Sequence, residues 1–124
     1  MPPLLLVMIG GAIGAGFRYH LSYIATRLFG PGFPWGTWCA NIIGGFLMGM
    51  LVGILVKTGD GAENVRLFFG VGVLGGFTTF SSFTLETINM FGRGDYALGA
   101  AYIGSSVAGS LLALMAGLAF VRIA

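Results

Sequence analysis

Apolar positions run through this chain in four long stretches without a charged side chain, at residues 1–17, 28–56, 67–85 and 96–121. The runs are continuous rather than alternating, which argues against the two-sided strands of a membrane β-barrel. A helix needs about 20 apolar residues to cross a bilayer. The pattern therefore predicts four membrane helices, at 3–27, 35–57, 65–91 and 96–122. Short connections rich in turn residues separate them. These are Gly30-Pro31-Gly32-Phe33-Pro34, Thr58-Gly59-Asp60-Gly61 and Gly92-Arg93-Gly94-Asp95, with Asp95 placed to N-cap the last helix. The first span lacks a basic leading segment and stays apolar past the usual length, so it reads as a resident helix rather than a cleaved signal. The expectation is one all-α, four-helix transmembrane domain over residues 1–124.

Composition strengthens that reading. Of 124 residues, 56% are apolar before 23 glycines are counted, and 8% are charged. Soluble domains carry roughly 25% charged residues, and a small soluble chain needs them to cover its surface. Ten charges cannot do so, and the apolar excess also excludes disorder. The net charge of +2 is too small and scattered to suggest nucleic acid. Cys39 stands alone, so no intrachain disulfide forms. Little chain lies outside the membrane, so any function sits within it.

Charge placement bears on orientation. Four spans put both termini and the second loop on one side, with Lys57, Arg66 and Arg122; the other side receives Arg27, Arg93 and, if it snorkels, Arg18. Three against three assigns no direction by the positive-inside rule. One reading is a weak bias set elsewhere. The other is deliberate balance, in which copies insert both ways up and pair antiparallel about an axis in the membrane plane.

The small and polar residues inside the spans are patterned. Gly45, Gly49 and Gly53, Gly10 and Gly14, and Gly109, Ala113 and Gly117 form ridges that let helices approach closely. Span 3 runs Gly72-Val73-Leu74-Gly75-Gly76-Phe77-Thr78-Thr79-Phe80-Ser81-Ser82-Phe83-Thr84-Leu85-Glu86. Paired glycines followed by β-branched threonines make poor helix, which predicts a break near Gly75–Thr79. Unwound backbone at that depth needs partners, and a cation, neighbouring helices or water could each supply them. Tyr102, Ser106 and Ser110 recur every four residues and share one face of span 4. Asn41 lies about 9 Å along span 2 from Trp35, and Phe80 and Phe83 share a face of span 3. A phenyl ring has a positive edge that can meet an anion.

Hydroxyls, an amide and ring edges, without Lys or Arg at mid-depth, suit a small anion that must bind and also leave. Nothing here resembles an enzyme. His20, the single histidine, falls near the end of span 1, and Cys39 has no basic neighbour to activate it.

At these residues a family becomes recognisable. Gly10-Gly11-x-x-Gly14-x-x-x-Arg18-Tyr19, Gly36-Thr37-x-x-x-Asn41-x-x-Gly44, Gly72-x-x-Gly75-Gly76-x-Thr78-Thr79-Phe80-Ser81-Ser82-Phe83 and Tyr102-x-x-x-Ser106-x-x-x-Ser110 stand in order along the chain. In these motifs, and over essentially its whole length, the sequence closely resembles the bacterial Fluc/CrcB fluoride channels. Ser82 stands where that family usually has threonine, which keeps the hydroxyl. The resemblance implies a dual-topology homodimer with two antiparallel pores in the bacterial inner membrane. It implies an anion path along Asn41, Phe80, Phe83, Ser81, Ser82, Tyr102, Ser106 and Ser110, with Arg18 in a vestibule. It also implies a structural sodium ion at the dimer centre, held by the backbone carbonyls of Gly75 and Thr78 and not transported. The role implied is passive fluoride efflux.

Two other classes share part of the pattern. A small multidrug exporter also has four spans and dual topology, but needs a membrane carboxylate for proton exchange. Glu86, about 10 Å from the middle of span 3, is the candidate, and the first span has none. A non-transporting structural membrane protein would explain the glycine ridges but not the hydroxyl stripe.

Overall fold

The computed structural model describes residues 1–59 and 62–124, so Asp60 and Gly61 of the second predicted connection lie outside the described residues. Its helices are α1 (Pro3–Phe29), α2 (Trp35–Thr58), α3 (Glu63–Gly92, interrupted) and α4 (Tyr96–Ile123). Each is long and apolar enough to cross a membrane. The shortest, 24 residues, spans about 36 Å at the helical rise. The four predicted spans are therefore present, longer by one or two residues at most ends.

The helix ends follow local chemistry. Pro3 opens α1, where its missing N–H would have had no partner anyway. Gly30 ends α1 with φ 80° and donates its N–H to Thr26 O, a left-handed turn that glycine alone adopts freely. Asp95 precedes α4 as expected but does not cap it with its side chain. Its carboxylate instead accepts from Arg93 Nε at 3.2 Å, because the intervening Gly94 turn (φ 86°) folds the two side chains together.

The glycine ridges are helix contacts. In lipid no hydrophobic force drives helices together, so close backbone approach has to supply the attraction. Helices α2 and α4 run parallel in direct backbone contact. A Cβ on Gly45 would come within 2.8 Å of Ser110 O, and one on Gly49 would collide with Leu114 O. One on Gly117 would collide with Phe46 O. At the shared end of this pair, Lys57 Nζ donates to Val121 O at 2.6 Å. Helix α1 packs the same way on the first half of α3. A Cβ on Gly10 would meet Phe68 O at 2.5 Å, and one on Gly14 would strike Val73 O.

The interruption of α3 lies within the expected stretch, toward its end. The helix begins at Glu63–Val65, widens into π turns over Arg66–Leu74 and tightens again over Gly75–Phe77. It then unwinds at Thr78 (φ −84°, ψ 157°) and Thr79 (φ −152°, ψ 123°) before resuming at Phe80–Gly92. Gly75 and Gly76 are helical, and the break falls on the threonines. The glycines serve proximity instead: a Cβ on Gly76 would collide with Gly11 O of α1. Beneath the second half of α3, Phe83, Met90 and Tyr102 form the buried core with Phe33, Trp38, Leu98 and Ile103 packed around them. Outward faces carry Leu4, Met8 and Met115, which meet lipid chains in a bilayer.

Candidate functional site

Unwinding α3 exposes backbone groups that hydrocarbon cannot satisfy, and the neighbouring helices answer most of them. Asn41 on α2 pairs with Thr79 twice: Asn41 Nδ2 donates to Thr79 O at 3.1 Å, and Thr79 N donates to Asn41 Oδ1 at 2.8 Å. The amide thereby gives Thr79 N the acceptor it lost at the break and adds a donor to Thr79 O. Thr79 also starts the second half of the helix, its Oγ1 accepting from Ser82 N at 3.2 Å. Thr78 N and Thr78 Oγ1 both donate to Leu74 O, at 3.0 and 2.9 Å. Arg18 Nε reaches from α1 to Gly76 O at 3.2 Å. Among the described residues, no donor reaches the carbonyls of Gly75, Phe77 or Thr78.

Beside this break runs a groove of about 430 Å³ between α2, α3 and α4, and Asn41, Thr78, Thr79, Phe80, Phe83, Ser106 and Ser110 all line it. Gly44 and Gly45 form its floor on α2, where a Cβ on Gly44 would collide with Thr78 Cγ2. Asn41 keeps one amide hydrogen beyond the bond to Thr79. Ser106 Oγ is buried and has no hydrogen-bond partner. An unpaired hydroxyl in a buried site costs free energy comparable to a lost hydrogen bond, so Ser106 Oγ is open to a further partner at the groove. The aromatic wall is graded. Phe83 is 8% exposed and Phe80 76% exposed, with ring centroids 5.6 Å apart. Among the described residues, no ionised side chain lines the groove.

Sequence reasoning thus brings together Asn41, Phe80, Phe83, Ser106 and Ser110, with Thr78 of the expected cation pair at the groove's edge. Others of the expected path stand apart from it. Tyr102, in register with Ser106, is fully buried, and its hydroxyl donates to Glu86 Oε1 at 3.1 Å. Phe33 and Phe83 pack on its ring, 5.3 and 5.2 Å away. Ser81 is exposed, its Oγ 3.3 Å from Thr79 Oγ1, and Ser82 takes part through its backbone. Arg18 lies at the break rather than along the groove. Thr79 and the floor glycines are additions. Thr79 was legible as a capping residue, since a hydroxyl three positions before Ser82 is the ordinary start signal of a helix.

Residues 5–118 match the family described as CrcB-like protein, Camphor Resistance (CrcB). The chain belongs to the CrcB family. It is similar to "Fluoride-specific ion channel FluC" of Sphingopyxis alaskensis, 49% identical over 122 residues, covering 98% of this chain and 97% of that one. It is likewise similar to the protein of that name from Phenylobacterium zucineum, 53% identical over 123 residues (98% and 97% covered). The one from Agrobacterium fabrum is 50% identical over 117 residues (94% of each). Near-complete coverage places all four spans of this CrcB chain, break and groove included, inside the likeness.

Proposed function

We propose that this chain is a passive fluoride channel, working as an antiparallel pair of copies. The observation that carries the reading is the groove itself: a buried, unpartnered Ser106 hydroxyl, a spare Asn41 amide hydrogen and the edges of Phe80 and Phe83, with no fixed charge. The relatives' names point to the same anion. Fluoride is small and strongly hydrated, and partial positive charges from O–H, N–H and C–H edges replace its water while still releasing it. Lone-pair repulsion from a carboxylate is absent along this wall. Ser110 continues the donor line, while Tyr102, Ser81 and Ser82 flank it. Arg18 adds positive potential near the path, which draws anions toward it.

The pairing rests on the balanced charges of the two sides and on the groove's form. Phe80, 76% exposed in a single copy, needs a second surface to complete a path walled on every side. A two-fold axis in the membrane plane gives two such paths, one in each direction. At the axis, the Gly75 and Thr78 carbonyls of both copies form a neutral, hard-oxygen set suited to a monovalent cation, and these carbonyls have no protein donor. Sodium bound there would supply the positive charge that satisfies the opened backbone, as a structural ion rather than cargo. Efflux needs no energy input: hydrogen fluoride enters an acidified cell as a neutral acid, dissociates, and the trapped anion leaves down its gradient.

Liposomes containing only this protein test the function. Fluoride trapped inside should escape rapidly once a potassium ionophore carries the counter-charge, while trapped chloride stays. Equal retention of both would overturn the proposal.

A further inference from the structure

Side chains decide which carbonyls around the break remain free. Leu74 O is occupied by Thr78, Thr79 O by Asn41 and Gly76 O by Arg18. Gly76 lies between Gly75 and Thr78, and its Cα is fixed against α1, where a Cβ would collide with Gly11 O. Arg18 Nε, 3.2 Å away, therefore holds a carbonyl next in sequence to Gly75 and two residues before Thr78, the two candidate cation ligands. Arg18 forms neither of the two ion pairs among the described residues, Arg66–Glu63 and Arg93–Asp95, so no carboxylate there offsets its charge.

We propose that Arg18 is a positioning residue for the central cation: it withdraws the Gly76 carbonyl from the oxygen set, and its charge weakens the hold on the cation. This rests on the sodium reading above. The number and reach of coordinating carbonyls govern which monovalent ion a backbone site prefers, so a freed Gly76 oxygen enlarges the set and favours a larger ion. Antiparallel pairing brings two guanidinium groups to the centre. Like charges repel, and a low-dielectric interior screens them little, so the bound cation is held less tightly than carbonyls alone would hold it.

The test reads stability of the intact purified protein and does not depend on flux. Thermal unfolding is followed while sodium chloride is replaced by potassium chloride or by N-methylglucamine chloride at constant ionic strength. Wild type should be stabilised by sodium and little by potassium. Arg18→Gln keeps a donor for Gly76 but loses the charge, so the sodium concentration for half-maximal stabilisation should fall roughly ten-fold. Arg18→Lys keeps the charge but not the planar fork, so half-maximal sodium should stay within about two-fold of wild type while potassium becomes a stabiliser. Should Arg18→Gln fail to assemble, the potassium response of Arg18→Lys decides alone. Variants with the wild-type sodium midpoint and wild-type rejection of potassium would overturn the role of Arg18. A wild type indifferent to sodium would instead overturn the sodium reading.

Discussion

Asn41 and Thr79 exchange two hydrogen bonds across the interruption of α3, the side-chain amide accepting from Thr79 N and donating to Thr79 O. One side chain therefore has two duties, closing the broken helix and facing the groove. Asn41→Asp should damage both. It keeps an acceptor for Thr79 N but sets a carboxylate oxygen against Thr79 O and places negative charge on the anion path. Fluoride efflux should become undetectable, and the unfolding midpoint should fall by the equivalent of about 1–3 kcal/mol, the cost of leaving a buried partner unpaired. Efflux and melting curves on the same preparation check this.

Ser106 should behave in the opposite way. Its hydroxyl has no protein partner, so Ser106→Ala removes an unsatisfied group at no structural cost. Flux should drop while thermal stability stays level or rises. A parallel loss of both would mean that the hydroxyl supports the fold rather than the ion.

Phe80 and Phe83 separate by burial. Replacing either by isoleucine keeps apolar bulk and removes the ring edge, so flux should fall for both. Phe83→Ile, at a site 8% exposed against Tyr102, should also cost about 1–2 kcal/mol of stability through imperfect packing. Phe80→Ile should leave the melting midpoint of one copy nearly unchanged, a contrast that differential scanning calorimetry resolves.

The glycine ridges predict a graded series. Gly49→Val drives side-chain atoms into the Leu114 carbonyl and should prevent recovery of monodisperse protein. Gly104, with nothing within 4 Å of a built Cβ, should accept alanine. Size-exclusion profiles of the two variants distinguish them directly.

These positions also show what the sequence makes legible. The four spans are readable because lipid demands long apolar helices with satisfied backbones. The ridges are readable because Gly45, Gly49 and Gly53 recur at helical spacing. Asn41, Phe80, Phe83, Ser106 and Ser110 converge as expected, since each lies on a predictable helix face. Tyr102 shares the register of Ser106, but one turn away Glu86 of α3 and Phe33 of the first connection close over it, which the register alone does not reveal. The break falls inside the stretch expected from Gly75 to Thr79, and its exact place within it follows from partners: close packing on α1 holds Gly76 in the helix, and the Asn41 amide, 38 positions away in sequence, captures Thr79. Tertiary partners of that kind leave no local mark.

Passive conduction is tested most directly by fluoride efflux from liposomes loaded with potassium fluoride, with and without a potassium ionophore to carry the counter-charge. A channel releases fluoride rapidly only when potassium can follow, and an imposed pH gradient changes nothing. Fluoride release that ignores the ionophore and instead follows the proton gradient would contradict the channel and point to a proton-coupled carrier.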